Sequence, residues 1–163
     1  TSGGLSPIAD VPKSLVTEWL RWAADFHDIQ SIKSVIATPA TAELRPPDQK
    51  QTDEDDLMPF EILDQIMYHF VQLGQEPKTI FQTLWPRMRT HYANDPRAFA
   101  AHIRKFVLLL CRAQWKRERF AITFRVTAFD LDPKTGFRFP PVQEPFTDEL
   151  REMDRYVDQL VCT

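Results

Sequence analysis

The chain has 163 residues, of which 43% are hydrophobic, and its 20 basic and 23 acidic residues give a net charge of −3. This composition excludes a disordered chain, and it provides no overall attraction to nucleic acid or to an anionic membrane. We therefore expect one globule with a packed core. No segment approaches the roughly 18 apolar residues of a membrane span. Cys111 and Cys162 lie far apart without a redox or zinc motif. With no signal peptide at its start, the sequence predicts a cytoplasmic protein with reduced thiols.

The first half of the chain predicts one helix, one short strand and one irregular loop. A helix is expected from Val11 to His27, with Asp10 as its N-cap and apolar residues recurring at helical spacing. The β-prone run from Ser34 to Thr38 predicts a brief strand. The segment from Leu44 to Met58 is rich in Pro, Gln, Asp and Glu without an apolar period. It predicts a loop that is either mobile or ordered by a ligand.

The second half of the chain is predicted to be largely helical. Apolar spacing and start and stop signals predict four helices: Pro59 to about Leu73 with Gly74 as its stop, one from Pro77 that Pro86 kinks or ends, one from Asp95 and Pro96, and one capped by Thr147. Between the last two, Ile122 to Ala128 alternates apolar and polar residues and residues 132–136 form a turn signal, which predicts a small hairpin or an extended arm. The expected fold is mainly α with a short β element.

Two neighbouring motifs and one upstream lysine have the chemistry of a phosphate site. The run Pro39-Ala40-Thr41-Ala42-Glu43-Leu44-Arg45-Pro46 precedes Gln51-Thr52-Asp53-Glu54-Asp55-Asp56-Leu57. Small neighbours leave the Thr41 hydroxyl open to a ligand. Lys13 falls in a first helical turn, where free N–H groups and the helix dipole favour an anion. From the residues alone, a solvated lysine and a turn hydroxyl bonded to its own backbone remain alternatives.

Together with the element from Pro7 to Lys13, these motifs resemble the C-terminal part of the synthetase domain of glutamine-dependent NAD synthetases. The resemblance covers about Pro7 to Pro141. It implies that residues 1–163 form the C-terminal helical part of an α/β adenine-nucleotide-binding domain. It also implies that Lys13 and Thr41 converge on ATP, which arrives with Mg²⁺ as a substrate complex. The metal ligands of the family that can be placed lie upstream, so no metal ligand and no catalytic residue is predicted in this chain.

A basic cluster with an aromatic residue lies at the end of the helix predicted from Asp95 and Pro96. It contains Arg112, Trp115, Lys116, Arg117 and Arg119. An exposed indole can stack on a base or pyridine ring while cations contact phosphates. A basic helix end with Trp115 in the core is the alternative from the pattern alone. In the resembled family this place holds a His-Lys or aromatic-Lys pair, so the resemblance implies that Trp115 and Lys116 bind deamido-NAD, with Trp in place of the commoner His.

The acidic run Asp53 to Asp56 has two interpretations. Oxygen-rich clusters suit Mg²⁺, but the pattern favours a solvated loop whose charges stabilise the start of the next helix. The run Ser2 to Ser6 lacks the Asp of the family's phosphate loop, Ser-Gly-Gly-x-Asp-Ser, and we expect it to be a flexible loop. Gly4 also stands where many relatives carry an Asp that contacts the dinucleotide.

The resemblance implies a defined reaction for the complete enzyme. ATP adenylates the nicotinate carboxylate of deamido-NAD, and ammonia released from glutamine by an amidase domain then attacks it to give NAD and AMP. Because Thr1 to Ser6 has no initiator Met, we expect the chain to be a fragment. The family's phosphate-binding loop and amidase are not found in it, so we expect it to be inactive alone. The resemblance implies that the complete enzyme is a homo-oligomer. The alternative from the residues is a helical module that binds a protein or single-stranded nucleic acid through residues 112–119, without catalytic activity.

Overall fold

The computed structural model of the chain describes residues 4–38, 52–119 and 121–162. The chain divides into two compact units, a larger one of Thr1–Asp10 with Gln65–Thr163 and a smaller one of Val11–Asp64. Within the described residues, no helix combines the length and the apolar character needed to cross a membrane. The thiols of Cys111 and Cys162 are both free.

The smaller unit contains helices α1 (Lys13–Phe26), α2 (Gln30–Ala37), α3 (Asp53–Asp56) and the first part of α4 (Phe60–Met67). The boundary between the units falls inside α4, after Asp64. Helix α1 confirms the prediction for this region, and α2 packs against it. Because α3 lies inside the segment from Leu44 to Met58, that segment contains a helical turn that its composition did not indicate.

The strand predicted from Ser34 to Thr38 is wrong, because these residues continue α2 as far as Ala37. Ile32 and Ile36, four residues apart, are both half-buried, whereas Val35 is 62% exposed. That spacing is the one-sided burial of a helix and does not fit the alternation of a strand. Packing against α1 therefore overrides the β preference of the branched side chains.

The larger unit contains the core. Its elements are β1 (Leu5–Ser6), the rest of α4 with a π-helical turn at Tyr68–Gln72, α5 (Pro77–Met88), α6 (Pro96–Arg112), α7 (Gln114–Arg117), β2 (Ile122–Thr123) and α8 (Thr147–Val161). Helices α5, α6 and α8 pack on one another, and Phe81, Phe99, Ile103 and Met153 between them are fully buried. Each such side chain stabilises the fold by about 2 kcal/mol through its removal from water.

The structure confirms most of the helix boundaries that start and stop signals predicted in the larger unit. The Asp95 carboxylate accepts hydrogen bonds from the N–H groups of Arg97 at 2.9 Å and Ala98 at 3.3 Å, and so caps α6. Gly74 has a φ of +60° just after the π-helical turn, as expected of a helix stop. Helix α5 runs through Pro86 to Met88.

The start of α8 differs from the prediction. The expected cap, Thr147, is the first helical residue, and Phe146 holds the N-cap position with a φ of +55°. The Thr147 hydroxyl donates to the Glu144 carboxylate. The sequence pointed to Thr147 because threonine is a common N-cap, but its hydroxyl is engaged by a residue that precedes the helix.

The β element is a single parallel pair in which Leu5 lies opposite Ile122 and Ser6 opposite Thr123. The expectation of a flexible loop at Ser2 to Ser6 is therefore wrong for Leu5 and Ser6. The described residues after β2 contain no partner strand. Of the two structures predicted for this region, the extended arm is therefore confirmed and the hairpin is wrong. A two-residue strand beginning next to glycines leaves too short a pattern for sequence reasoning to detect.

Asp10 is not the N-cap of α1, since Pro12 holds that position. Its buried carboxylate instead accepts hydrogen bonds from the N–H groups of Val126 at 2.7 Å and Thr127 at 2.6 Å. The Thr127 hydroxyl in turn donates to the Asp10 carbonyl oxygen at 2.5 Å. These three bonds join the segment that follows β1 to the segment that follows β2. No local sequence pattern predicts them, because more than a hundred residues separate the partners.

Stability at low pH should depend on Asp10. Burial on its own raises the pKa of the Asp10 carboxyl, but hydrogen bonds from the N–H groups of Thr127 and Val126 outweigh it, so the pKa lies below its ordinary value of 3.8. The unfolded chain then binds the proton more tightly than the folded one. The stabilisation from Asp10 is therefore complete above about pH 5 and is lost as the pH falls through the lowered pKa.

We expect Asp10→Asn to make the free energy of unfolding less dependent on pH in this acidic range than it is in the parent chain. Urea unfolding followed by circular dichroism at pH 7 and at pH 3 measures this. Asp28→Asn is the control, because the Asp28 side chain is 95% exposed. An Asp10→Asn variant with the parent's full acid dependence would contradict the assignment.

Candidate functional site

Lys13 begins α1 and lies next to the acidic segment. Its side chain is 57% exposed, and its Nζ stands 3.3 Å from Asp53 Oδ2. The same ammonium lies 5.2 Å from the centroid of the Phe60 ring, within the range of a cation–π contact. The structure thus brings the element that ends at Lys13 together with the segment that contains Asp53, although 40 residues separate them.

The N-terminus of α1 already has an acidic neighbour. Pro12 provides no side-chain cap, and the Ser14 hydroxyl donates to the Asp64 carboxylate. Burial raises the pKa of Asp64, and the hydrogen bonds from the Ser14 side chain and backbone oppose this only in part. A carboxylate and a lysine therefore both border the first turn of α1, where the helix dipole attracts negative charge.

The acidic residues of α3 are engaged by protein donors. Thr52 and Asp55 form a reciprocal capping box, in which the Thr52 N–H donates to Asp55 Oδ2 at 2.9 Å and the Asp55 N–H donates to Thr52 Oγ1 at 3.2 Å. Glu54 Oε1 accepts from the N–H of Phe60 at 2.8 Å, at the start of α4. The Glu54 contact matches the expectation that the acidic run stabilises the start of the next helix. The expected solvated loop is wrong, because Asp53 to Asp56 form α3, which the Thr52–Asp55 capping box stabilises. In the described ranges, no three His, Cys, Asp or Glu side chains are grouped as a metal ion requires.

Trp115 and Lys116 lie on α7 in the larger unit. The Trp115 side chain is 57% exposed, which contradicts the alternative that placed it in the core. Lys116 Nζ lies 5.8 Å and the Arg119 guanidinium 5.7 Å from the Trp115 ring centroid. An exposed indole flanked by two cations can stack on an aromatic ring and contact phosphate at the same time.

A buried polar network below α7 was not predicted. The Arg117 guanidinium donates to Gln114 Oε1 at 2.9 and 2.6 Å and to the Leu110 carbonyl oxygen at 2.5 Å. Gln114 Nε2 donates at 2.9 Å both to Glu118 Oε1 and to the Phe139 carbonyl oxygen. Gln114 and Arg117 are buried, so they fix α7 and the segment at Phe139. No local pattern indicates this network, because an arginine at a basic helix end is usually solvated.

The predicted site residues are distributed between the units. Lys13 belongs to the smaller unit, and Trp115 and Lys116 belong to the larger one. Thr41 lies outside the described residues, as do residues 44–51 of the predicted loop. The structure therefore provides the surroundings of three of the four predicted binding residues.

Comparison with known proteins finds the NAD synthase family model, which matches residues 1–105. Lys13 and Thr41 fall inside the matched residues, whereas Trp115 and Lys116 fall outside them. Among curated proteins, the chain is 33% identical to the glutamine-dependent NAD(+) synthetase of Synechocystis over 146 residues, which are 87% of this chain and 22% of that protein. It is 39% identical to that of Aquifex aeolicus over 87 residues, 53% of this chain and 14% of the relative.

A solved structure resembles the fold over nearly the whole chain. The glutamine-dependent NAD(+) synthetase of Cytophaga hutchinsonii matches with a TM-score of 0.72 and 29% identity, covering 94% of this chain and 22% of that one. The chain thus spans about a fifth of the length of the first relatives that it matches.

Proposed function

Because this chain belongs to the NAD synthase family, we propose that it is the C-terminal helical portion of a synthetase domain that converts deamido-NAD to NAD. The family match over residues 1–105 carries this proposal. The fold supports it, since helices with one small parallel strand pair suit the helical part of an α/β nucleotide-binding domain. The short coverage of the relatives agrees with an activity that needs further polypeptide, so the chain alone is inactive.

The proposed chemistry activates a poor electrophile. A nicotinate carboxylate oxygen attacks the α-phosphorus of ATP and expels pyrophosphate, and ammonia then displaces AMP to form the amide. Negative charge develops at phosphate in the first step, and preorganised cations stabilise it. We assign Lys13 and Thr41 to ATP and Trp115 and Lys116 to deamido-NAD. The exposure of Lys13 and Trp115 supports these roles, because a ligand can reach both side chains.

The partners of the complete enzyme belong to the same proposal. Ammonia comes from glutamine through an amidase domain outside this chain, and the enzyme is a cytoplasmic homo-oligomer. Mg²⁺ arrives with ATP as part of the substrate. The described acidic side chains nearest to Lys13 are already held by protein donors, so we assign no metal ligand to them.

The dinucleotide assignment is tested with the complete polypeptide that contains this chain. Replacing Lys116 by alanine should raise the KM for deamido-NAD about tenfold, the effect of losing one charge-assisted contact to the ligand. The KM for ATP should stay within twofold. Steady-state NAD formation measures both, and Arg87→Ala, which removes an exposed cation from α5, is the control. An unchanged KM for deamido-NAD would remove Lys116 from the site.

A further inference from the structure

A shallow cavity of about 340 Å³, widely open to solvent, lies beside α7 in the larger unit. Its walls are Glu118, Pro133, Lys134, Arg138, Phe139 and Pro140. Two cations thus face a space of the size that small ligands occupy. The acid among these residues, Glu118, already accepts a hydrogen bond from the buried Gln114 amide.

The positive charges of Lys134 and Arg138 are not neutralised by an ion pair with a described residue. Lys134 and Arg138 are exposed, and no ion pair joins either side chain to another described residue. Other basic residues of the larger unit differ in this respect, since Arg97 and Arg104 pair with Asp158 and Asp154. A phosphate oxygen would therefore displace only water from Lys134 and Arg138.

The wall that carries these cations is held in place. The Phe139 carbonyl oxygen accepts from Gln114, and the Phe139 ring stacks on Phe137 at 5.2 Å and on Phe146 at 6.1 Å between centroids. Arg117 in turn fixes the Gln114 amide. Because this wall is ordered before a ligand binds, less conformational entropy is lost on binding.

The cavity adjoins the proposed dinucleotide residues. Glu118 follows Trp115 by three residues at the end of α7, and side chains at that spacing on a helix are neighbours. We propose that the cavity binds the diphosphate group of the dinucleotide, with Lys134 and Arg138 contacting its oxygens while Trp115 stacks on a ring. This inference rests on the proposed function, and it adds a diphosphate subsite to it.

The test uses backbone amide NMR of the ¹⁵N-labelled 163-residue chain. Millimolar deamido-NAD should shift the signals of residues 134–139 as well as those of Trp115 and Lys116. Inorganic pyrophosphate alone should shift residues 134–139 only, which separates the diphosphate from the rest of the ligand. Nicotinic acid riboside, which has no phosphate, should leave Lys134 and Arg138 unchanged.

A double variant measures the contribution of the cations. Lys134→Gln with Arg138→Gln should weaken deamido-NAD binding about tenfold, as expected for the loss of exposed charged contacts. Arg87→Gln with Arg89→Gln makes the same change in net charge on exposed residues of α5 and its C-cap, and should change affinity less than twofold.

The outcomes separate this inference from the proposed function. Shifts at Trp115 and Lys116 with none at 134–139 would overturn the diphosphate subsite and keep the dinucleotide assignment. Shifts at 134–139 with none at Trp115 and Lys116 would support the subsite and count against those two residues. No shift at residues 134–139 with either dinucleotide or pyrophosphate at millimolar concentration would overturn the inference.

Discussion

Replacing Arg117 by alanine is expected to lower the free energy of unfolding by about 2 to 4 kcal/mol. The guanidinium is buried and donates to Gln114 Oε1 and to the Leu110 carbonyl oxygen. Its removal leaves both acceptors without these donors inside the protein, where each unsatisfied group costs about 1 to 3 kcal/mol. It also opens a cavity where the side chain packed.

Urea unfolding followed by circular dichroism measures the loss. Arg119→Ala is the matched control, because Arg119 is an exposed arginine two residues away, and surface substitutions usually change stability by less than about 0.5 kcal/mol. Arg117→Lys should recover little, since a lysine ammonium cannot reproduce the fork of donors. If Arg117→Ala and Arg119→Ala cost the same, the buried network does not hold α7.

The sequence predicted best those helices whose start signals and apolar spacing lie within the element itself. Helix α6 has Asp95 and Pro96 at its start and a regular apolar stripe, and the structure shows both the cap and the burial of Phe99, Ile103 and Val107. It predicted worst those residues whose role depends on a partner far away in the sequence. The role of Asp10 depends on Val126 and Thr127, more than a hundred residues away, and no local pattern contains that pairing.

The same distinction applies to the candidate site. The motifs indicated which side chains matter and which family they resemble, and the exposure of Lys13 and Trp115 agrees with ligand contact. They did not indicate that Asp53 meets Lys13, nor that Arg117 is buried within an otherwise exposed basic cluster. Charge at a helix end looks the same in a sequence whether it faces water or the core.

In the complete synthetase, Lys13→Ala should lower kcat/KM for ATP by about 10- to 100-fold. A charge-assisted hydrogen bond to phosphate contributes about 1.5 to 3 kcal/mol, which corresponds to this range. Stability should hardly change, because the Lys13 side chain is largely exposed and its ion pair with Asp53 lies at the surface. Steady-state rates at varied ATP, with unfolding midpoints for both proteins, measure the two quantities.

Lys33→Ala is the matched control for that experiment. Lys33 lies on α2 in the same unit and also forms surface ion pairs, with Asp25 at 3.6 Å and Asp28 at 3.8 Å, so its loss should leave the ATP kinetics unchanged. Asp53→Asn provides the second comparison. If phosphate replaces Asp53 at the Lys13 ammonium, this variant should bind ATP as tightly as the parent or tighter. A loss as large as that of Lys13→Ala would mean that the ion pair, and not a direct phosphate contact, explains the effect of Lys13.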